Sequence, residues 1–528
     1  MLSISIIAIV IAVVNVVLEF RRDLMMLQQN SYRNERYNRW LSTSQDTTST
    51  MRLVSGAVVL ASLSTLSIPI VACNLVALVS IVNIFNLANK KYKKPLVMTR
   101  RAWRIFSTML LLAAIILGAV VAFCVVKGYS LEFGAITALL IYCFSHVFAL
   151  AANWLLKPVE KSINQKYYND AQRILNSMPD LKIIGITGSY GKTSTKHYLN
   201  RILSEHYDVM MTPGSYNTTM GVIRTVREYL KPYNEVFIVE MGAKQPGDIK
   251  EICDLVHPEI GIITAVGEQH LESFKTIENV QRTKFELVDS LPADGLAVVN
   301  DDFEYVANRD VDNVKCIRYA VSTTGAAKYV AKEITYSPTG TTFTVSDSQG
   351  NSLEFKTRLV GECNVSNLLA AIIVALKLNV PVEKIRYAVS QIEQVEHRLN
   401  MKRTPGGVTI IDDAFNSNPT GSKMALDVLA MMTQGKRIVV TPGMIELGDK
   451  QEELNEIFGK KIATCADEAV IVGEYNREAI IRGIESVDDR IARVHKVNTF
   501  AEAQALLASI LRPGDTILYE NDLPDTFK

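Results

Sequence analysis

The sequence GITGSYGKTST, from Gly185 to Thr195, follows the apolar run Leu181–Ile184 and precedes a segment with helical periodicity. Glycines, a lysine and hydroxyl residues between a strand and a helix are typical of a phosphate-binding loop, because freed backbone N–H groups and the helix N-terminus attract anions. The spacing is TGxxGK[ST] rather than GxxxxGK[ST], since Ile186 holds the first glycine position. We predict that Lys192 neutralises phosphate charge and that the Thr193 hydroxyl binds Mg²⁺. The competing interpretation, a glycine-rich turn with an exposed lysine, explains the flanking strand and helix less well.

Bulk composition narrows the class of protein. The chain has 528 residues, 48% hydrophobic and 21% charged, with a formal net charge of +1. This length indicates more than one domain, and the charge balance does not favour a nucleic-acid partner. The seven cysteines are scattered without a CxxC pair, so neither a zinc site nor a disulfide framework is indicated.

Apolar residues are concentrated at the N-terminus, and we predict that residues 1–156 form a transmembrane region of about five helices. A helix of about 20 apolar residues spans a bilayer. The stretch Leu53–Ala88 would be roughly 54 Å long as one helix, so we expect two short helices broken near Pro69. The other three spans are the apolar segments Leu2–Phe20, Ile105–Val126 and Ala135–Leu156.

Basic residues predict the orientation of these spans. The segments Arg21–Arg52 and Lys90–Arg104 are rich in arginine and lysine, which favours a cytoplasmic location for both. The N-terminus is then outside, and the chain after Leu156 lies in the cytoplasm, where ATP is available. The predicted spans carry almost no charge, with His146 as their one ionisable candidate, so an alternative is that they only anchor the protein.

The remainder of the chain predicts two α/β domains after a linker over residues 157–180. Short apolar strands alternate with helical segments over residues 181–397, which is typical of a parallel sheet, with an antiparallel excursion between Lys328 and Arg358. Residues 398–528 carry their own strand set and predict a second, Rossmann-like domain. The expected strands of that domain are Val408–Asp412, Arg437–Thr441, Ala469–Gly473 and Thr516–Tyr519.

Three further residues are candidates for the chemistry of the loop. Glu240 ends the strand Val236–Val239 and would emerge at the same sheet edge as the phosphate loop, where a carboxylate suits Mg²⁺. His270 follows another strand, and Lys284 lies on a predicted helix. Each of the three, taken alone, is better explained as an ordinary strand-end, surface or helix residue.

Eight motifs in order connect these candidates to a known family. The chain resembles the Mur ligases, and within them the branch that adds D-alanyl-D-alanine, from about Leu181 to Thr516. The motifs are GITGSYGKTST, VEMGAKQPGDI, GEQHLESF, RTKFEL, NVSNLLAA, HRLN, IDDAFNSNP and PGMIELGD.

The resemblance implies an ATP-dependent carboxylate–amine ligase. In such an enzyme ATP phosphorylates a substrate carboxylate to an acyl phosphate, which an amine then attacks. Catalytic roles fall on Lys192, His270 and Lys284, and the metal ligands would be Thr193, Glu240, His270 and Lys284. In the family the residue matching Lys284 is often carbamylated, which would let it bridge a second Mg²⁺; a plain ammonium touching phosphate is the alternative.

The resemblance also implies the binding residues. ATP would contact Gly188, Gly191, Lys192, Thr193, Ser194, Asn364, Arg398 and Asp412, with Asn364 facing adenine, Arg398 the phosphates and Asp412 the ribose. The substrates would contact Asn217, Thr218, Asn416 and Asn418.

The sequence departs from the family most strongly at its N-terminus. The family's nucleotide-sugar-binding domain is missing, and the apolar spans take its place. We therefore expect a multi-pass protein of the bacterial cell membrane with cytoplasmic ligase domains, acting on a cell-wall peptide precursor and an amino acid or dipeptide amine. The sequence leaves open whether the acceptor is UDP-linked or lipid-linked, and it does not determine the oligomeric state. Two alternative functions also stay open: a ligase of another polymer such as poly-γ-glutamate, and a non-catalytic regulatory protein.

Overall fold

A computed structural model describes residues 2–64, 68–90, 92, 94–321, 327–337, 340–414, 417–488 and 492–522. The chain divides into two compact units, which we call the membrane unit, up to Gln165, and the ligase unit, from Lys166 to Asp522. The segment expected as a linker, residues 157–180, is helical as far as Asn176.

The membrane unit is helical. Its helices are α1 (Leu2–Gln29), α2 (Asn34–Thr43), α3 (Thr50–Ser64), α4 (Pro69–Asn89), α5 (Arg100–Lys127), α6 (Glu132–Cys143) and α7 (Ser145–Asn176). The break expected near Pro69 is confirmed, with Pro69 as the first residue of α4, where its missing N–H is tolerated.

The count of five spans stays a prediction. Within the described residues α1, α4 and α5 are each long and apolar enough to cross a membrane, and the bent pair α6–α7 adds a fourth if it is one span. Helix α3 is a shorter apolar helix of 15 residues. The span expected over Ala135–Leu156 is broken after Cys143, where the chain bends by 71°.

The membrane unit also encloses a buried charged cluster, which corrects the expectation that His146 is its one ionisable candidate. Arg52 Nη2 lies 2.8 Å from Glu19 Oε1 and 3.5 Å from Asp46 Oδ2. Arg22 pairs with the same two carboxylates, at 2.8 Å from Glu19 Oε1. Glu19 lies near the end of the apolar run Leu2–Phe20, and its side chain is buried.

Arg52 also forms hydrogen bonds at the break between α6 and α7. Its Nη1 donates to the carbonyl oxygens of Cys143 at 2.9 Å and Tyr142 at 3.2 Å, and to Ser145 Oγ at 3.1 Å. The last carbonyls of a helix have no partner within the helix, so a guanidinium placed there satisfies groups that lipid cannot. One side chain therefore stabilises both the bend and the charged cluster.

The ligase unit begins with a nine-stranded sheet in the order β2-β3-β1-β4-β5-β6-β7-β8-β9. Pairs among β1 to β7 are parallel, whereas β7–β8 and β8–β9 are antiparallel, which confirms the excursion expected between Lys328 and Arg358. The strands are Lys182–Thr187, Val209–Met211, Val236–Glu240, Ile260–Ile263, Leu296–Asn300, Lys315–Ala320, Tyr329–Ser337, Gly340–Asp347 and Ser352–Thr357. Helices α8 to α15 are Lys192–Leu203, Thr219–Glu228, Asp248–Val256, Leu271–Phe274, Ile277–Asp289, Glu304–Ala307, Glu362–Lys377 and Val382–Gln391.

A second sheet follows in the order β10-β11-β15-β12-β13-β14, parallel except for the β10–β11 pair. It confirms the predicted second α/β domain. The strands are Asn400–Arg403, Thr409–Asp413, Arg437–Thr441, Glu468–Val472, Arg493–Val497 and Thr516–Glu520. Helices α16 to α19 are Pro419–Ala430, Gln451–Cys465, Arg477–Glu485 and Phe500–Ile510.

Replacing Arg52 with methionine should destabilise the membrane unit by about 3 kcal/mol, because removing one partner of a buried ion pair leaves a carboxylate uncompensated. The apparent melting temperature of the full-length protein in detergent measures the effect. Arg21→Met, which changes an exposed arginine of α1, is the control. Equal melting temperatures for the two variants would contradict the stabilising role of Arg52.

Candidate active site

The predicted phosphate loop joins β1 to α8 and depends on two glycines. Gly188 has φ +153° and Gly191 has φ +80°, a range that side chains rarely adopt. A Cβ atom at Gly188 would overlap the Thr264 hydroxyl, and one at Gly191 would overlap the Asn367 side chain. The loop therefore packs against the end of its own sheet at Gly188 and against α14 at Gly191, and a larger residue at either position would collide with these neighbours.

Lys192 is the first residue of α8 and folds back over the loop. Its Nζ donates to the carbonyl oxygens of Gly188 at 2.6 Å and Ser189 at 3.2 Å. Burial, opposed by the charge of Glu240 and assisted by that of Arg398, lowers the pKa of Lys192 to about 8. A cation held here at the N-terminus of a helix suits the phosphate group that the sequence predicts.

Glu240, at the end of β3, is the centre of the polar contacts around the loop. Its Oε1 accepts from Thr193 Oγ1 at 3.2 Å and from Asn217 Nδ2 at 3.1 Å. Its Oε2 lies 3.0 Å from Lys196 Nζ. Burial acts to raise the pKa of Glu240, but Lys196 and Lys192 outweigh it and lower the pKa, so the group is an anion. A hydroxyl beside a charged carboxylate oxygen is a donor set that fits Mg²⁺.

Lys196 was missed by the sequence analysis, although the structure places it at the centre of this site. Its side chain is fully buried, and its Nζ donates to the carbonyl oxygen of Gly214 at 2.6 Å while pairing with Glu240. The available signal was its spacing, because residues four apart lie on the same helix face and Lys196 follows Lys192 by one turn. Lys196 thus joins α8, β3 and the loop before α9.

His270 occupies a left-handed conformation with φ 54°, and its Nδ1 is hydrogen-bonded to a carboxylate oxygen of Glu446. Burial lowers the pKa of His270, while Glu446 opposes the shift. Since Nδ1 is engaged, Nε2 is the nitrogen left for a metal. Glu446 belongs to the second sheet domain and was not identified from sequence.

Lys284 is buried on α12, and it donates no hydrogen bond to another residue of the described ranges. Burial lowers its pKa well below the usual value, and the nearby charge of Lys192 lowers it further. A lowered pKa favours the neutral amine, the form that reacts with carbon dioxide. The environment therefore fits the carbamylated lysine implied by the resemblance, which stays a prediction.

The residues expected to bind the rest of ATP divide into two groups. Arg398 lines a cavity of about 840 Å³ together with Thr193, Gly214 and His397. Asp412 lies at the end of β11, and its Oδ2 is hydrogen-bonded to His397 Nδ1 at 2.7 Å. The predicted phosphate and ribose contacts thus adjoin the same cavity.

Asn364 and Ser194 are placed differently. The Asn364 side chain accepts from the Tyr198 hydroxyl at 2.8 Å and donates to the Val360 carbonyl oxygen at 2.9 Å, so both ends of its amide are engaged. Ser194 is buried in the first turn of α8. Each end of the amide can form one further hydrogen bond, and the adenine contact expected of Asn364 stays a prediction.

Three of the four expected substrate residues have structural contacts of their own. Thr218 caps α9 by accepting from the Gly221 N–H, and Asn418 caps α16 by accepting from the Gly421 N–H. Asn217 is bound to Glu240. Asn416 lies outside the described residues, and the substrate roles of all four stay predictions.

Comparison with known proteins identifies the family. Residues 186–375 match the Mur ligase middle domain, and residues 397–519 match the domain described as Mur ligase, glutamate ligase domain. A UDP-N-acetylmuramoyl-tripeptide--D-alanyl-D-alanine ligase of Mycobacterium tuberculosis is 31% identical over 364 residues, covering 64% of this chain and 70% of its own. The chain belongs to the Mur ligase family. It is an ATP-dependent peptide ligase of the Mur type, as the sequence resemblance implied.

Further relatives agree with this assignment. The ligase of the same name from Bacillus subtilis is 28% identical over 345 residues, covering 64% of this chain and 72% of the relative. The crystal structure of MurF from Acinetobacter baumannii has a TM-score of 0.61 and 26% identity, covering 67% of this chain and 76% of that one. MurF from Thermotoga maritima, solved in complex with ADP, shares the fold with a TM-score of 0.61 and 24% identity, covering 68% and 80% of the two chains.

Lys196→Met should lower both stability and turnover, because it leaves the buried Glu240 carboxylate without its nearest cation, at a cost of about 3 kcal/mol. The double variant Lys196→Met/Glu240→Gln removes both charges, so it should recover much of the stability but none of the turnover. Melting temperature and ATP hydrolysis of the full-length protein measure the two effects. A single variant that melts and turns over like the unmodified protein would refute the role of Lys196.

Proposed function

We propose that this protein uses ATP to join the amine of an amino acid or dipeptide to a carboxylate of a cell-wall peptide precursor, through an acyl phosphate. One observation carries the proposal: the Lys192 ammonium, the Thr193 hydroxyl and the charged Glu240 carboxylate meet at one end of α8. These are the groups that transfer of a phosphoryl group to a carboxylate requires, because charge must be neutralised between two anions.

The residues of the site have different proposed roles in metal and phosphate binding. Thr193 and Glu240 would hold Mg²⁺ with His270 through Nε2, and Mg²⁺ would shield the phosphate oxygens from the attacking carboxylate. Lys192 moves from the loop carbonyls to the transferred phosphate, and Arg398 adds a second cation from the side of the cavity. A carbamylated Lys284 would supply an anion for a second metal ion.

The substrates are inferred from the named relatives. Both curated relatives above carry D-alanyl-D-alanine ligase names, so we infer a muropeptide acceptor and a D-alanyl-D-alanine amine. Residues before 186 lie outside both family matches, and that region contains three helices able to cross a membrane. An acceptor linked to a membrane lipid is therefore our inference, with the ligase unit on the cytoplasmic side of the cell membrane.

The test uses full-length protein in detergent with ATP, D-alanyl-D-alanine and two forms of the same muropeptide, one UDP-linked and one polyprenyl-linked, with products identified by mass spectrometry. The proposal expects an amide product and a preference for the lipid-linked form. Product from the UDP-linked form alone would overturn the lipid assignment only. Absence of product from both forms, with ATP turnover intact, would overturn the proposed substrates.

Lys192→Met should reduce ATP turnover at least a hundredfold without lowering the melting temperature, because the change removes a loop cation and no core contact. Lys356→Met, at an exposed position of β9, is the control and should behave like the unmodified protein. Release of ADP at a near-normal rate by the folded Lys192 variant would contradict the assignment of the loop.

Asp412→Asn should weaken ADP binding about tenfold, since it removes the carboxylate proposed to accept from the ribose and changes the hydrogen bond with His397. Calorimetric titration of ADP measures the change, and the KM for the acceptor should stay within twofold. A variant with normal ADP affinity and a raised acceptor KM would place Asp412 at the other substrate.

A further inference from the structure

The turn that carries Arg398 has an unusual backbone on both sides of this residue. His397 has φ 57° and Leu399 has φ 47°, a left-handed region that residues other than glycine seldom occupy. Such a conformation persists where surrounding contacts hold it. Since Arg398 lines the cavity beside the phosphate loop, the contacts of this turn set the position of its guanidinium.

Two neighbouring acids at the end of β11 hold this turn. Asp412 Oδ2 is hydrogen-bonded to His397 Nδ1 at 2.7 Å. Asp413 Oδ1 accepts from the Leu399 N–H at 3.1 Å. Burial lowers the pKa of Arg398, and the charge of Asp413 is the main influence that opposes this shift. Asp413 therefore holds the turn by a hydrogen bond and attracts Arg398 by its charge.

A second acid, Glu520, lies beside Asp413. The two residues are partners in the parallel pairing of β11 with β15, so their side chains leave the sheet on the same face. Glu520 is fully buried. The hydroxyl oxygens of Ser417 and Ser422 lie 2.6 and 2.8 Å from its Oε1. Within the described ranges no N–H or hydroxyl group donates to its other oxygen, Oε2.

The contact between the two acids requires a proton. Asp413 and Glu520 are hydrogen-bonded to each other, and an ionised carboxylate can only accept. Burial and the charge of Asp413 raise the pKa of Glu520 well above its usual value. Burial also raises the pKa of Asp413, to about 6, with the charge of Arg398 opposing the shift. At neutral pH the proton therefore belongs to Glu520, and Asp413 is an anion.

The other titratable groups around the two acids agree with this assignment. Arg398, Asp412 and Cys363 face Asp413 from the turn, from β11 and from α14. Burial, assisted by the charge of Asp413, raises the pKa of Cys363 to about 12, so this thiol is neutral. Arg398 is the cation of this set, and it lies on the side of Asp413 rather than on that of Glu520.

We propose that Glu520 is a positioning residue that acts in its protonated form. Its carboxylic acid donates to Asp413, and Asp413 in turn holds the Leu399 N–H and attracts the guanidinium of Arg398. Loss of the proton would place two like charges side by side in a buried position and would release the turn. The inference rests on the phosphate-binding role proposed above for Arg398.

The first experiment tests the proton. Glu520→Gln replaces a protonated acid with a neutral amide of similar size that can still donate to Asp413. The full-length protein in detergent is compared with this variant by infrared spectroscopy at neutral pH and by ATP turnover. Glu354→Gln, at an exposed position of β9, is the control.

A protonated Glu520 predicts a carboxylic-acid carbonyl band that Glu520→Gln lacks and Glu354→Gln keeps. Turnover of Glu520→Gln should stay within threefold of the unmodified protein, because the donor to Asp413 is retained. Infrared spectra that differ by no such band, or a larger loss of turnover, would overturn the inference.

The second experiment tests whether Glu520 acts through Arg398. Glu520→Leu has no proton to donate and should lower the turnover number about tenfold. The double variant Glu520→Leu/Arg398→Ala should be no slower than Arg398→Ala alone, because the residue that Glu520 positions is already absent. If Glu520→Leu does not fold, the infrared and turnover results for Glu520→Gln decide.

The second experiment also separates the inference from the proposed function. A full further loss of turnover in the double variant would make Glu520 a structural residue and overturn the inference, while the role of Arg398 would stand. Normal turnover of Arg398→Ala would instead overturn the proposed role of Arg398, and the inference with it.

Discussion

The buried contact between Glu240 and Lys196 holds the candidate active site together. Glu240 ends a central strand, Lys196 lies on the helix that follows the phosphate loop, and the Gly214 carbonyl oxygen is bound by the same ammonium. Three segments that are distant in sequence are fixed by one ion pair. Because Lys196 keeps Glu240 charged in a buried position, the carboxylate is available beside Thr193 without further rearrangement.

Buried carboxylates that need a nearby cation are also present in the membrane unit, where arginines rather than lysines pair with them. In the ligase unit Glu240 contacts Lys196 directly, and the nearby charge of Lys192 adds to its stabilisation. In the membrane unit Arg22 and Arg52 share the carboxylates of Glu19 and Asp46 through ion pairs. In both units a charged group can be buried because an opposite charge from another helix or strand lies beside it.

Much of the candidate site was predictable because its signals are local. The loop from Gly188 to Thr193 is recognisable from spacing, and Glu240 from its position at the end of an apolar strand. Lys196, Asn367 and Glu446 were not predicted, since each acts on a residue brought near only by folding. The bend after Cys143 was missed for a related reason: apolarity predicts membrane residence, whereas this bend lies where Arg52, from another helix, contacts helix-end carbonyls.

The sequence by itself determined the family, the two α/β domains, the phosphate loop and the apolar N-terminal region, because these follow from residue order, periodicity and apolar content over short windows. Tertiary structure decided which charges are compensated. Whether Glu19 and Asp23 face lipid, water or an arginine cannot be obtained from composition, because the electrostatic energy of a charge depends on the distance and burial of partners supplied by other helices.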